Sequence, residues 1–187
     1  PILGIWASGA QPAANAGSFE SIATVTVGSG GSSSISFSSI PSTYTHLQLR
    51  MIGRTNRAST VDPGILRMNS DTGNNYSWHD FYGDGASVAA EAAAPDSRIK
   101  FYRFAGNNAT ASIFGTTIID ILDYANTNKY KTVRYLGGID LNGSGEVFFG
   151  SGLWQNTNAI STLTITPFAG TSFSQYSDFA LYGIRSA

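Results

Sequence analysis

Cysteine is absent from this 187-residue sequence. That excludes disulfide scaffolds, thiolate metal sites and cysteine nucleophiles, and it leaves the compartment open, because a chain without thiols tolerates either redox state. Charge is scarce as well: 11 Lys and Arg face 12 Asp and Glu, for a net of −1. No basic field exists to collect phosphates, which argues against sequence-independent binding of nucleic acid. Histidine occurs only as His46 and His79. No apolar run approaches the roughly 20 residues of a membrane-spanning helix, so no membrane partner is expected. The first residues also lack the charged start and apolar middle of a secretory signal.

What is present is β-forming. Ile113 to Leu122 is the longest nearly unbroken apolar run, and Ile113, Thr116, Thr117, Ile118, Ile119 and Ile121 are branched at Cβ, which favours extended backbone. Asp123-Tyr-Ala-Asn-Thr-Asn-Lys then supplies turn-forming side chains, and Lys131-Thr-Val-Arg-Tyr-Leu resumes a polar–apolar alternation. The pair reads as a hairpin at the centre of the fold, its first strand buried on one or both faces. Gly, Ser, Thr and Asn fill the polar positions where other proteins place charge. A β-rich surface with so few charges invites edge-to-edge association unless partners cover it. The composition therefore leans towards an assembly component rather than a freely diffusing enzyme.

Taken in order, the chain opens with the apolar patch Pro1-Ile-Leu-Gly-Ile-Trp on a tether of small residues to Ser18. Some 18 residues reach on the order of 60 Å when extended. Ile2, Leu3, Ile5 and Trp6 are thus expected on an arm (residues 1–18) that docks on a neighbour or folds back on its own domain. Residues 19–187 read as one antiparallel, two-sheet β-sandwich of about ten short strands, with turn signals between them. The apolar ending Phe179-Ala-Leu-Tyr-Gly-Ile-Arg is expected inside a sheet, beside an early strand. Ala89 to Ala94, stopped by Pro95, is the one segment expected to form a helical turn. The Gly28–Ser34 loop has no following helix and no Lys, so it is read as a turn and not a phosphate cradle.

For chemistry the sequence offers little. His79 and Asp80 are adjacent, and neighbours in a strand point to opposite faces, so the two do not form an oriented base. Asp120 and Asp123 sit where a strand gives way to its turn and are read as turn caps. Acids in the 71–75 and 80–84 loops are too few and wrongly spaced for a calcium loop. No catalytic residue, metal site or cofactor is expected. Sugar binding is the more serious rival: Tyr76, Trp78, Tyr82 and Trp154 are candidates to stack on pyranose faces, and the alternative for the same aromatics is core or subunit interface.

Several segments together are similar to a known group. Pro1-Ile-Leu-Gly-Ile5, Phe19-Glu-Ser-Ile-Ala-Thr-Val-Thr-Val-Gly28, Ile40-Pro-Ser-Thr-Tyr-Thr-His-Leu-Gln-Leu49, Asp123-Tyr-Ala-Asn-Thr-Asn-Lys-Tyr-Lys-Thr132 and Leu181-Tyr-Gly-Ile184 resemble small jelly-roll virion proteins of tailed bacteriophages. The resemblance implies a jelly-roll-like homo-oligomer, a trimer by preference, on the surface of a virus particle. It implies a capsid cement or decoration protein partnered by the major capsid protein. The alternative is a tail-fibre or receptor-binding, lectin-like module that takes a glycan. It brings no active-site motif with it.

Overall fold

A computed structural model describes residues 17–185 and places the central hairpin where the sequence puts it. Twelve strands form among the described residues: β1 (Phe19–Thr26), β2 (Ile35–Phe37), β3 (His46–Gly53), β4 (Val61–Met68), β5 (Tyr76–Gly83), β6 (Val88–Asp96), β7 (Ile99–Ala105), β8 (Gly115–Leu122), β9 (Lys131–Asp140), β10 (Gly145–Trp154), β11 (Leu163–Pro167) and β12 (Asp178–Ile184). Eight make one antiparallel sheet in the order β1-β12-β3-β8-β9-β10-β5-β6, and β2-β11-β4-β7 make the other. The chain is thus an all-β, two-sheet sandwich. Three antiparallel pairs are nested, β3 with β12, β4 with β11 and β5 with β10, as when a long hairpin is rolled over on itself.

The core lies between the sheets because each strand alternates. In β8 the inward residues Thr117, Ile119 and Ile121 are buried, while Thr116, Ile118 and Leu122 face outward. Leu47, Leu49, Tyr135, Phe148, Phe179 and Leu181 of the large sheet meet Phe37, Leu66, Ile99, Phe101, Leu163 and Ile165 of the small one. Phe101, Phe104, Phe173 and Phe179 pack edge to face, with centroids 4.8–5.7 Å apart along the chain of contacts. The closing strand β12 lies between β1 and β3, as its apolar sequence requires.

The β8–β9 turn is held by Lys131, which is fully buried. Its ammonium donates to the carbonyls of Asn126 (2.5 Å), Lys129 (3.0 Å) and Thr157 (3.0 Å). Three carbonyl partners satisfy all its protons, although burial lowers its pKa from the ordinary lysine value. Asp123 takes a left-handed conformation (φ 49°) in this turn, accepts the Asn126 N–H on its carbonyl (3.0 Å) and pairs with Lys129. Asp120, expected to cap the same turn, does not. It remains in β8 on the outer face, accepting from Gln48 Nε2 (2.8 Å) and Arg134 Nη2 (2.9 Å).

The helical turn expected at Ala89–Ala94 is replaced by β6, which pairs with β5 from Gly83↔Val88 to Trp78↔Ala93. Six alanine-rich residues are too few to nucleate a helix in water, and the edge of β5 offers register partners to Ala89 through Ala93. The expected arm bearing Ile2, Leu3, Ile5 and Trp6 lies outside the described residues.

Candidate functional site

Two places concentrate polar or unusual features. The first is the side of the sandwich where edge strand β6 meets edge strand β7. Asp80 is buried here on the inner face of β5, and His79 next to it points out. Tyr135 Oη donates a proton shared between Asp80 Oδ2 and the Lys100 carbonyl, 3.1 Å from each. Lys100 pairs with Glu91, donates to the Tyr102 hydroxyl (3.0 Å), and lies over the rings of Trp78 (4.5 Å) and Tyr102 (4.8 Å). Arg103 continues the ladder over Tyr102 (4.5 Å) and Tyr82 (4.8 Å) and donates to Glu146 Oε1 at 2.7 Å. The alternation of cation and ring lets charged groups close an open side without being stripped of partners.

The electrostatics follow from burial. Desolvation pushes the Asp80 carboxyl up to about 6, against the hydrogen bond from Tyr135 and the nearby Lys100 charge. Burial likewise raises Glu146, Tyr102 and Tyr135. Glu91 ends below the usual carboxylate range because its bonds to Lys100 and Tyr102 outweigh its own desolvation. The Asp80 Oδ1 and Glu146 Oε2 atoms are buried without a hydrogen-bond partner. Of this cluster only Glu146 borders the open depression on the outer face of the large sheet, and Asp80 and Glu91 do not line it. Among the described residues no group of three or more His, Asp or Glu has the arrangement of a metal site.

The aromatics that sequence alone offers as sugar platforms are placed by the same alternation. Tyr76, Trp78 and Trp154 are buried, and Tyr82 is half-buried beneath Arg103. Trp78 Nε1 donates to Asp96 (3.0 Å) and Trp154 Nε1 to Asp71 (2.7 Å), while the Tyr76 hydroxyl bonds the backbone of Met68 and Asp71. Tyr76 and Trp154 stack on each other, Tyr82 stacks on Tyr102, and Lys100 covers Trp78. Tyr76, Trp78 and Trp154 belong to the core, one of the two readings that the sequence leaves open for these aromatics, and Tyr82 packs against its margin.

The second place is the outer face of the large sheet. Register aligns Ile118, Leu136, Phe149, Phe81 and Ala90 side by side across β8, β9, β10, β5 and β6. All five point away from the core, and Leu136 and Phe81 remain 57% and 51% exposed. Phe81 and Phe149 touch, with centroids 5.8 Å apart. Two residues along each strand runs a second row, Ile52, Thr116, Gly138, Val147, Gly83 and Val88. Its glycines make the floor of an open depression of about 970 Å3, walled by Ile52, Ile113, Phe114 and Val147. On the other side of the apolar row lie Gln48, Asp120, Arg134, Ser151 and His79. From β10 to β6 the outward positions carry no Asp, Glu, Lys or Arg.

Five adjacent strands with apolar side chains on the solvent face make a contiguous patch, whereas scattered exposed apolar residues are ordinary. Sequence reading missed this surface, although one signal was present. Ile118-Ile119 and Phe148-Phe149 put apolar residues at both parities of a strand, which marks two covered faces.

Fold and surface together define an all-β sandwich whose distinctive feature is an apolar sheet face beside an open, glycine-floored depression. Compared with protein-family models, with curated proteins and with solved structures, the chain matches none.

Proposed function

We propose that this chain is a structural component of a bacteriophage particle, a capsid cement or decoration protein that acts by burying apolar area between subunits. The observation that carries the reading is the outward row Ile118–Leu136–Phe149–Phe81–Ala90, an exposed face with the composition of an interface core. Permanent assemblies bury more than roughly 2,000 Å² of apolar, charge-poor surface, and a chain with 12% charged residues is built for that. The nested strand pairs support reading the sandwich as jelly-roll-like, the form implied by the resemblance to small virion proteins. In this reading the protein is a homo-oligomer at the particle surface, its other partner the major capsid protein, and Ile2, Leu3, Ile5 and Trp6 anchor it to the shell. The glycan-binding alternative loses its support with the burial of Trp78 and Trp154.

Deletion of Pro1–Gly9 tests the anchor. The shortened protein keeps the circular-dichroism spectrum and melting behaviour of the full chain and no longer binds purified particles. Undiminished particle occupancy after the deletion refutes the anchor.

A further inference from the structure

We infer that the outer face of the large sheet docks on the same face of a second copy of this chain, about a two-fold axis lying in the interface. The axis runs across the strands, midway between the apolar row and the glycine-floored row. Such an operation turns each row onto the other, because the two are separated by two residues on every strand. Leu136 then meets the second copy's Gly138, and Phe81 meets the second copy's Gly83. Phe149 meets Val147, and Ile118 meets Thr116. Leu136 and Phe81 fall on glycines, Ile118 falls on a threonine and Phe149 packs on a valine, so ridge and recess match at β9 and β5, which is the self-complementarity that a two-fold contact demands. A partner of different shape has no reason to find ridge and recess spaced this way.

Charge follows the same operation. The polar row beyond the ridge turns onto the β9–β10 and β5–β6 turns beyond the recess. Arg134, whose side chain is 59% exposed, is brought to Asp140 of the second copy, and His79 to the turn at Asp84 and Gly85. Each contact occurs twice. The size is close to sufficient: the five strands of the apolar row, spaced about 4.8 Å apart and eight to ten residues long, make a face of roughly 700 Å². A standard stable interface covers about 800 Å² per partner. The pair is an even-numbered unit, in place of the trimer that the sequence resemblance implies.

Such a pair presupposes the assembly role proposed above, and the two fail differently. The experiment is the native mass of the full chain beside three variants. Gly83→Leu fills the recess under Phe81; its added Cβ meets nothing closer than 3.5 Å within one copy, so the fold tolerates it. Wild type is expected as a dimer or a multiple of two, and Gly83→Leu as a species that dissociates at least about tenfold more readily. Arg134→Glu weakens the pair, and Arg134→Glu with Asp140→Arg restores it, although both variants lose the internal Arg134–Asp120 pair. Melting curves confirm that each variant is folded. A trimer unchanged by Gly83→Leu overturns the two-fold pair and leaves the assembly role standing. A single-copy wild type overturns both, and failure of the charge reversal to restore mass overturns the axis.

Discussion

Replacing Asp80 by Asn removes a carboxylate from a place that disfavours its charge. The folded-state pKa of about 6 lies above the ordinary value of 3.8, so the bound proton stabilises the fold. That stabilisation is complete below pH 4 and is lost as the pH rises through 6. At about 1.4 kcal/mol per pH unit, the gap is worth about 3 kcal/mol between pH 4 and pH 8. Asn has the same shape, keeps an oxygen for the Tyr135 hydroxyl and carries no charge. Its amide nitrogen takes the place of Oδ1, which has no partner, and that costs about 1–3 kcal/mol at every pH. The informative quantity is therefore the difference between the two proteins as a function of pH. Relative to wild type, Asp80→Asn gains about 3 kcal/mol from pH 4 to pH 8, or about 6–12 °C in melting temperature for a domain of this size. Differential scanning calorimetry in matched buffers reads it. A difference that stays flat across that range refutes the burial of the Asp80 carboxyl on the inner face of β5 as the cause of its raised pKa.

Further outcomes follow from single groups. Lys131→Met strands three carbonyls that a buried ammonium satisfies, and urea unfolding is expected to show a loss of about 3 kcal/mol or more. Trp78→Ala empties a core site and frees Asp96, at a cost of about 3–5 kcal/mol by the same assay. Arg54 donates to the carbonyls of Asn107, Ala109, Thr110 and Ile113, so Arg54→Ala speeds proteolysis between 107 and 113 with little change at the central sheet.

Much of the sandwich is legible in the sequence because alternation is local. Thr45–Ile52 and Ile113–Val133 state their own strands and turn, and Phe179–Ile184 states its burial. The surface is another matter. Ile118, Leu136, Phe149 and Phe81 come from four strands, and only the hydrogen-bonded register brings them into one row. Pairing of that kind depends on contacts distant in the chain, which no window of residues records. In β5 the parity itself misleads. Aromatics occupy both faces, as Tyr76 and Trp78 on one and Phe81 on the other, so the segment reads equally as platform or core. Asp80 on the buried parity is the clue that the inner face carries a polar group, which Tyr135 reaches from β9 of the same sheet. Ala89–Ala94 failed for the converse reason, since alanine's helical preference is worth less than an unoccupied sheet edge.

The account depends most on the outer face of the large sheet being buried in the working protein. Light scattering of the purified full chain, beside Phe149→Asp, measures that directly. Multi-copy wild type and a predominantly single-copy, normally folded Phe149→Asp are predicted. A single-copy wild type at concentrations where the variant behaves identically would contradict it.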